Sequence, residues 1–493
     1  MSINFSNIPS NLRVPLFYAE LDPRFANTTP IAQRGLLVGQ MTAAGTYTPG
    51  VPVQLTSVAD GIAGAGAGSV LAGMIQAWRD NDKTGEVWVL PISDAGAATA
   101  AAGTLTITGT ATGSGTIPLY IAGTKVSVAV AVGDTIAAIA TNVAAQINAA
   151  LVPVTATAAA GVVTLTARNK GLVGNEIDVR LSYLGSAGGE TLPAGVAVAI
   201  VALTGGATNP TITTQLAALG DKTFDFIVSG LNDATSLDAL KALQLDTTGR
   251  WSPMQQLYGH VFTAARGTAG TLATLGVGRN DQHLSIIGFN DSPSPFWVWA
   301  AALVGQAAVS LRGDPALPLQ YLTVSGVLAP PIASRFSIGV RNSTLLYSGI
   351  STWQVDASGN IVIENIITTY VTNSQGNSDN SYLEVETMFT LMYVLRFMRS
   401  RIETKFGRMK LAADGTRLIA GSKVVTPSSI RADQIAAYRE LEEGGYVQKS
   451  DEFAANLIVE KDANTPNRVN VLWPGTLIEQ LRVFAMLVQF RLT

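Results

Sequence analysis

The last thirteen residues of this 493-residue chain, LRVFAMLVQFRLT, constrain its fold more than any other stretch. Read with period two, Phe484, Met486, Val488, Phe490 and Leu492 share one face. Leu481, Val483, Ala485 and Leu487 line the other until Gln489 and Arg491 turn it polar. Chain ends normally fray and are polar, so an end with two apolar faces has to be covered by something. Two covers are open: a strand of its own domain, or a sheet in a second subunit. Extended at ~3.3 Å per residue, the stretch reaches ~40 Å, enough to cross into a neighbour.

With 47% hydrophobic residues, the chain has material for several cores, and its length suits roughly two to four domains. Lys and Arg number 32 against 35 Asp and Glu, a net charge of −3. That balance favours neither a nucleic-acid groove nor a membrane-surface patch. The absence of cysteine removes disulfide frameworks, thiolate metal sites and thiol nucleophiles together. The start MSINFSNIPSNLRVP has no basic stretch followed by an apolar core, unlike a secretory signal. The longest apolar runs, GVAVAIVAL and WVWAAALVG, fall well short of the ~20 residues of a spanning helix. The expectation is a soluble protein made inside the cell.

Between Ala95 and Ala167 the sole charged residues are Lys125 and Asp134, whereas the flanks carry ordinary charge density. Within this stretch GTLTITGT, KVSVAVAV, VPVTATAA and GVVTLTAR alternate like strands. DTIAAIATNVAAQINAAL repeats at helical spacing with Asp134 as its expected N-cap. Residues 94–206 therefore read as an inserted β-rich α+β domain. Around it RGLLVGQ, GEVWVLPI, DFIVSG, QLYGHVFTA and HLSIIGFN read as strands. SVLAGMIQAWRDND and SLDALKALQLDTT read as helices between them, which makes 21–93 and 207–371 one interrupted α/β domain. The polar TNSQGNSDN marks the next boundary.

Beyond that boundary, 372–480 reads as a C-terminal α+β domain. SYLEVETMFTLMYVLRFMRSRIETKF is a long helix, apolar on nearly every face through Phe397 and so mostly buried. TPSSIRADQIAAYRELEEGG is a second helix with Ser429 as expected N-cap and Gly444-Gly445 as its stop. FAANLIVEK and NRVNVLW read as strands. Arg396, Arg399, Arg401 and Lys405, followed by Arg408 and Lys410, form a basic run near the end of the long helix. It is either a solvated face that suits a helix C-terminus or a docking surface for an acidic partner.

No catalytic, cofactor-binding or metal-binding residue is identified. His260 and His283 are the two histidines, both in apolar, strand-like surroundings that suit core imidazoles. GAGAGS at 64–69 precedes a helix but lacks the P-loop lysine and the final glycine of a dinucleotide fingerprint. DNDKTG at 80–85 imitates the start of a calcium loop, but Pro91 occupies the position of the bidentate glutamate, so it reads as a helix-ending turn. Two apolar or extended ends, an all-round apolar helix and an insert point to an assembly protein.

Several long stretches then carry a resemblance. They are RVPLFYAELD, RWSPMQQLYGHVFTA, RNSTLLYSGISTWQVDASGNIVIENIITTY, SYLEVETMFTLMYVLRFMRSRI, IRADQIAAYRELEEGG and NLIVEKDANTPNRVNVLWPGTLIEQLRVFAMLVQFRL. They resemble the tail sheath proteins of contractile-tailed bacteriophages, the Mu-like branch. They cover most of the chain outside 94–206, where ARNKGLVGNEIDVR is the one stretch that is similar.

The resemblance implies stacked six-subunit rings around a tail tube, with no cofactor. It implies an N-terminal arm, 1–20, and a C-terminal arm, 481–493, that add strands to a sheet in neighbouring subunits. The partners implied are the chain itself, the tail tube protein and the baseplate and tail terminator proteins, with no nucleic acid and no membrane. The location implied is a virion tail assembled in the bacterial cytoplasm. The mechanism implied is a metastable extended lattice that shortens to drive the tube through the host envelope, without nucleotide hydrolysis. In this frame 94–206 faces outward, 372–480 faces the tube, and Arg396, Arg399, Arg401 and Lys405 are tube-docking candidates. Pro9, Pro15, Pro474 and Gly475 mark hinge boundaries. The competing readings are another self-assembling subunit, of a tail tube or a surface layer, and an α/β enzyme. A tube subunit is normally much shorter, a surface-layer protein needs an export signal, and an enzyme needs a deep pocket with convergent titratable groups.

Overall fold

The computed structural model describes residues 33–417, 419 and 421–492. The N-terminal arm 1–20, with Pro9 and Pro15, lies outside the described residues.

The sheet of the α/β domain forms because six short, mostly apolar runs can bury both faces. Gly35–Gln40 lies between Val87–Ile92 and Phe226–Ser229, parallel to both. His260–Arg266, Leu284–Phe289 and Ile350–Val355 continue the parallel order outward. Antiparallel strands close the edges, Val53–Gln54 on one side and Ile361–Asn365 with Thr323–Val324 on the other, giving nine strands. Leu36, Phe226, Phe262, Ile286 and Phe289 are buried in the core so formed.

The helix Val70–Asn81 starts where Ser69 accepts the Ala72 N–H at 3.0 Å, and it stops at Asp82. The DNDKTG stretch is therefore a helix-ending turn, with Asp82 ion-paired to Arg312 at 2.6 Å. The helix Phe296–Gly313 packs against Val70–Asn81 so closely that a Cβ on Gly305 would lie 2.9 Å from the Trp78 carbonyl oxygen. Gly305 therefore sets the helix–helix distance.

The stretch 94–206 leaves and returns through an antiparallel bridge between Thr99 and Ala207. It holds a four-stranded sheet, ordered Ala197–Thr204, Ala102–Thr108, Val162–Ala167 and Val154–Ala159. A three-stranded sheet, Thr124–Val130, Gly115–Ile121 and Val179–Leu181, and the helix Ile136–Ala149 complete it. Thr135, not Asp134, caps this helix by accepting the Ala138 N–H. The Asp134 carboxylate instead accepts the Ala131 N–H in the preceding turn. Hydrogen bonds and an ion pair cross the seam with the α/β domain, beside an apolar core that runs through both. Buried Asn169 accepts the Val70 N–H and donates to the Met41 carbonyl, each at 2.9 Å, and Arg266 pairs with Glu176 at 3.0 Å.

The helix Val385–Phe406 serves two cores. Val385, Phe389 and Met392 belong to the core of the α/β domain, where Phe389 stacks on Phe226 at 4.8 Å. One turn on, Val394 belongs to a smaller core with Tyr438, Leu441, Val447, Phe453 and Leu457. This explains an apolar pattern that runs all round the helix. The faces alternate between two hosts.

The smaller core is built on the helix Pro427–Glu443. Its N-cap is Thr426, with Pro427 in the first turn and Ser429 closing a reciprocal capping box, so Ser429 supports the cap rather than forming it. FAAN closes a short helix, Ser450–Asn456, and the strand proper is Ile458–Lys461, paired with Val469–Leu472. Glu452 and Asp451 in that short helix's first turn favour its N-terminus. Pro474 and Gly475 lie between Val469–Leu472 and the strand Thr476–Leu477, beside Trp473, and so precede the exit of the C-terminal arm.

Candidate assembly interface

The C-terminal arm leaves the body after Thr476–Leu477, which pairs with Val447–Gln448. Tyr438 fixes this exit: its hydroxyl donates to the Gln448 carbonyl at 2.6 Å and accepts the Thr476 N–H at 2.9 Å. Ile478 then donates to the Tyr446 carbonyl at 3.1 Å.

From there the chain crosses to the other core. Gln320 donates to the Leu481 carbonyl at 3.1 Å. The Arg482 guanidinium lies 2.8 Å from both Glu384 and Glu386, at the start of the long helix. Glu386 is wholly buried and also accepts the Leu319 N–H at 2.9 Å. Burial pushes the Glu386 carboxyl above the usual carboxylate range, and the Arg482 charge pulls it back down.

Past Arg482 the arm is uncovered among the described residues. Phe484, Met486, Val488, Phe490 and Leu492 are between 65% and 89% exposed, and Leu481, Val483 and Leu487 on the other face are exposed as well. No helix or strand is assigned over 478–492. A strand exists only where a ladder partner supplies its hydrogen bonds, and none is present for these residues among those described. The same domain carries a possible acceptor. Among the described residues the hairpin Ile458–Lys461 with Val469–Leu472 has two strands and therefore two outer edges, and Ile458, Val471 and Leu472 lie exposed on it. Sequence reading found the apolar stretch but not its root. Arg482, Glu384 and Glu386 were overlooked, although a glutamate inside an otherwise apolar helix start is the signal of a buried partner.

The four cations of the long helix separate in the structure. Arg396 turns inward to Asp225 and donates to the Tyr258 carbonyl at 3.0 Å. Arg401 joins Asp433 at 3.0 Å and Glu440 at 2.6 Å, and Lys405 joins Asp433 at 2.6 Å. For Asp433 burial works upward, but Arg401 and Lys405 hold its carboxyl below the usual range. Arg399 is half exposed and, among the described residues, pairs with Glu403, one turn along at 2.8 Å. Three of the four thus pair with acids on other elements, and Arg399 pairs along its own helix.

Both histidines are core imidazoles. His260 bonds Ser285 at 2.9 Å, and burial holds its pKa well below 6.5. His283 meets Asp246 at 2.8 Å. Among the described residues no group of His, Asp and Glu is placed to hold a metal ion, and no helix is long and apolar enough to cross a membrane.

Three family models match the chain. The phage tail sheath protein β-sandwich domain matches residues 94–208, the central domain 205–369 and the tail sheath C-terminal domain 377–491. A Mu-like prophage FluMu tail sheath protein of Haemophilus influenzae is 41% identical over 493 residues, covering 99% of this chain and 100% of the relative. Among solved structures, a sheath tail protein of Desulfitobacterium hafniense aligns with a TM-score of 0.48 and 13% identity, over 94% of this chain and 97% of that one. The sheath tail protein Lin1278 of Listeria innocua aligns with a TM-score of 0.48 and 12% identity, over 92% and 94%. The chain belongs to the phage tail sheath protein family, as a mixed α/β multidomain structural protein of contractile tails and not an enzyme.

Proposed function

We propose that the protein polymerises as stacked six-subunit rings around a tail tube, and that the stack contracts to drive the tube through the host envelope. The observation that carries this reading is the C-terminal arm: a rooted segment whose large side chains face water in the isolated subunit. Donated to the hairpin Ile458–Lys461 and Val469–Leu472 of a neighbour, the arm gains the ladder it lacks, a case of β-augmentation. Roughly six ladder bonds at ~1 kcal/mol each, plus burial of several large apolar side chains, make a durable link. Phe484, Met486, Val488, Phe490 and Leu492 supply that burial. Because the arm leaves beyond both cores, a body can rotate while the link holds, which is what a contracting mesh requires.

The long helix gives the contraction a stiff connection. Its first turns lie in the α/β core and its later turns in the smaller core, so the two move together. The stretch 94–206, joined to the α/β domain around Asn169 and Arg266, faces outward, and 372–480 faces the tube. Of the docking candidates, Arg399 retains the most solvent-facing charge, with Arg396, Arg401 and Lys405 holding its helix in place. Baseplate and tail terminator proteins complete the assembly, formed in the bacterial cytoplasm.

Negative-stain microscopy of the purified protein tests the reading. Ringed tubes are expected, and dispersed monomers at high concentration would count against it.

A further inference from the structure

Glu386 lies in the first turn of the long helix beside Val385, Met388 and Phe389, with none of its side chain in water. A carboxylate there is costly unless it is paired, and its one cationic partner among the described residues is Arg482. Its other hydrogen bond, from the Leu319 N–H, comes from the segment that also reaches the arm through Gln320. Beyond Arg482, residues 483–492 make no hydrogen bond among the described residues.

The same segment touches the opposite end of the described chain. Arg312 donates to the Gln33 carbonyl at 3.0 Å, while the Ala316 carbonyl lies 3.5 Å from the Gln480 amide. One stretch, 312–320, therefore meets the chain just after residue 32 and just before the C-terminal arm.

We infer that Glu386 and Arg482 form a seat that sets the direction in which the C-terminal arm leaves the body, with 312–320 as a bearing common to both chain ends. The seat stands on its own geometry, and its value for assembly rests on the reading of the arm as the link. A seated root leaves 483–492 to be ordered when the arm is donated, so less conformational freedom is lost. The seat is a catch rather than a rivet. Arg482 Nε and Nη1 and the second Glu386 oxygen find no partner among the described residues, so the pair lacks the two-point fork that would hold it harder.

The chain contains no cysteine, so cysteines introduced at Ser358 and Val483 take spin labels without background. Pulsed electron paramagnetic resonance on dilute full-length subunits then reads the spread of distances between the body and the arm root. A narrow distribution is expected in the parent and a clearly broader one in Glu386→Gln and Arg482→Gln. Gln320→Ala, which removes the bond to the Leu481 carbonyl and leaves the buried ion pair in place, is the milder variant and should broaden the distribution less. Equal widths in parent and variants would overturn the seat. The concentration at which sheath pellets should rise several-fold in the two charge variants. Broadened distances with an unchanged pelleting threshold would keep the seat and count instead against the arm as link.

Discussion

Arg396 on the long helix donates to the carboxylate of Asp225, at the foot of the parallel strand Phe226–Ser229. The other oxygen of Asp225 accepts the Arg34 N–H at 3.0 Å, so one buried side chain ties the sheet, the start of its first strand and the helix of the second core. Burial pushes the Asp225 carboxyl up, and Arg396 opposes that shift. Removing Arg396 leaves the carboxylate buried and uncompensated. Arg396→Ala should cost about 3 kcal/mol or more in denaturant unfolding, while Arg399→Ala should stay within about 0.5 kcal/mol. The reverse effect at tube binding is expected: Arg399→Glu weakens co-sedimentation with tube protein at low salt and leaves stability alone. Unchanged co-sedimentation would return Arg399 to a solvated face.

Ending the chain after Val483 removes the exposed part of the arm but neither core, and it keeps the Arg482 pair to Glu386. Such a subunit should unfold at close to the parent's denaturant midpoint and form no sheath. Phe490→Asp should behave alike, because Phe490 is 80% exposed in the single chain and loses nothing there. It places an unpaired charge in a sheet only when donated. Outright unfolding of the truncated chain would assign the arm to its own domain, and normal polymers would remove it as the link.

The strands of 94–206 lie in sheets of their own and meet the α/β domain around Asn169 and Arg266, which implies that the stretch adds stability without completing the α/β sheet. A deletion closed by a short Gly/Ser linker, with Asn169→Ala as a milder control, should lower the melting temperature and still allow polymers to form. A folded deletion variant that makes no tubes would show that the stretch carries lattice contacts.

His260 gives the subunit an acid sensitivity. Its ring is buried against Phe262 and Phe389, near His283 and the Asp225–Arg396 pair, and its folded pKa lies well below 6.5. The unfolded chain therefore binds more protons once the pH falls below about 6.5, and stability drops by up to about 1.4 kcal/mol per pH unit until the folded pKa is reached. His260→Gln should flatten this slope when unfolding midpoints are compared at about pH 5 and about pH 7.5. Asp82 does not mask it. Burial works upward on that carboxyl, but Arg312 holds it below its ordinary value, so its own loss comes at lower pH.

Much of this fold is legible in period and composition. Buried parallel strands such as Leu284–Phe289 show as uninterrupted apolar runs, and charge depletion marks 95–167, since neither depends on contacts distant in sequence. The finer assignments fail where two neighbouring residues compete for one job. Thr135 caps in place of Asp134 because Asp134 already serves Ala131, and Thr426 caps because Pro427 suits the first turn. The basic run shows the deeper limit. Arg396 and Arg399 look equivalent along the helix, yet one faces Asp225, which lies 171 positions away in the chain. Likewise the apolar arm is visible in the sequence, but its anchor is a long-range pairing: a glutamate inside an apolar helix start signals a buried partner without saying which residue it is.

A link built from side chains such as Phe484, Met486 and Phe490 has a thermal character. Near room temperature the gain from removing such groups from water is almost wholly entropic, and it weakens as the solution is cooled. A lattice held by these arms therefore grips least in the cold and tightens on moderate warming. An arm that is soft at low temperature and firm at growth temperature makes the history of heating and cooling, as well as concentration, decide how long a sheath stays in one piece.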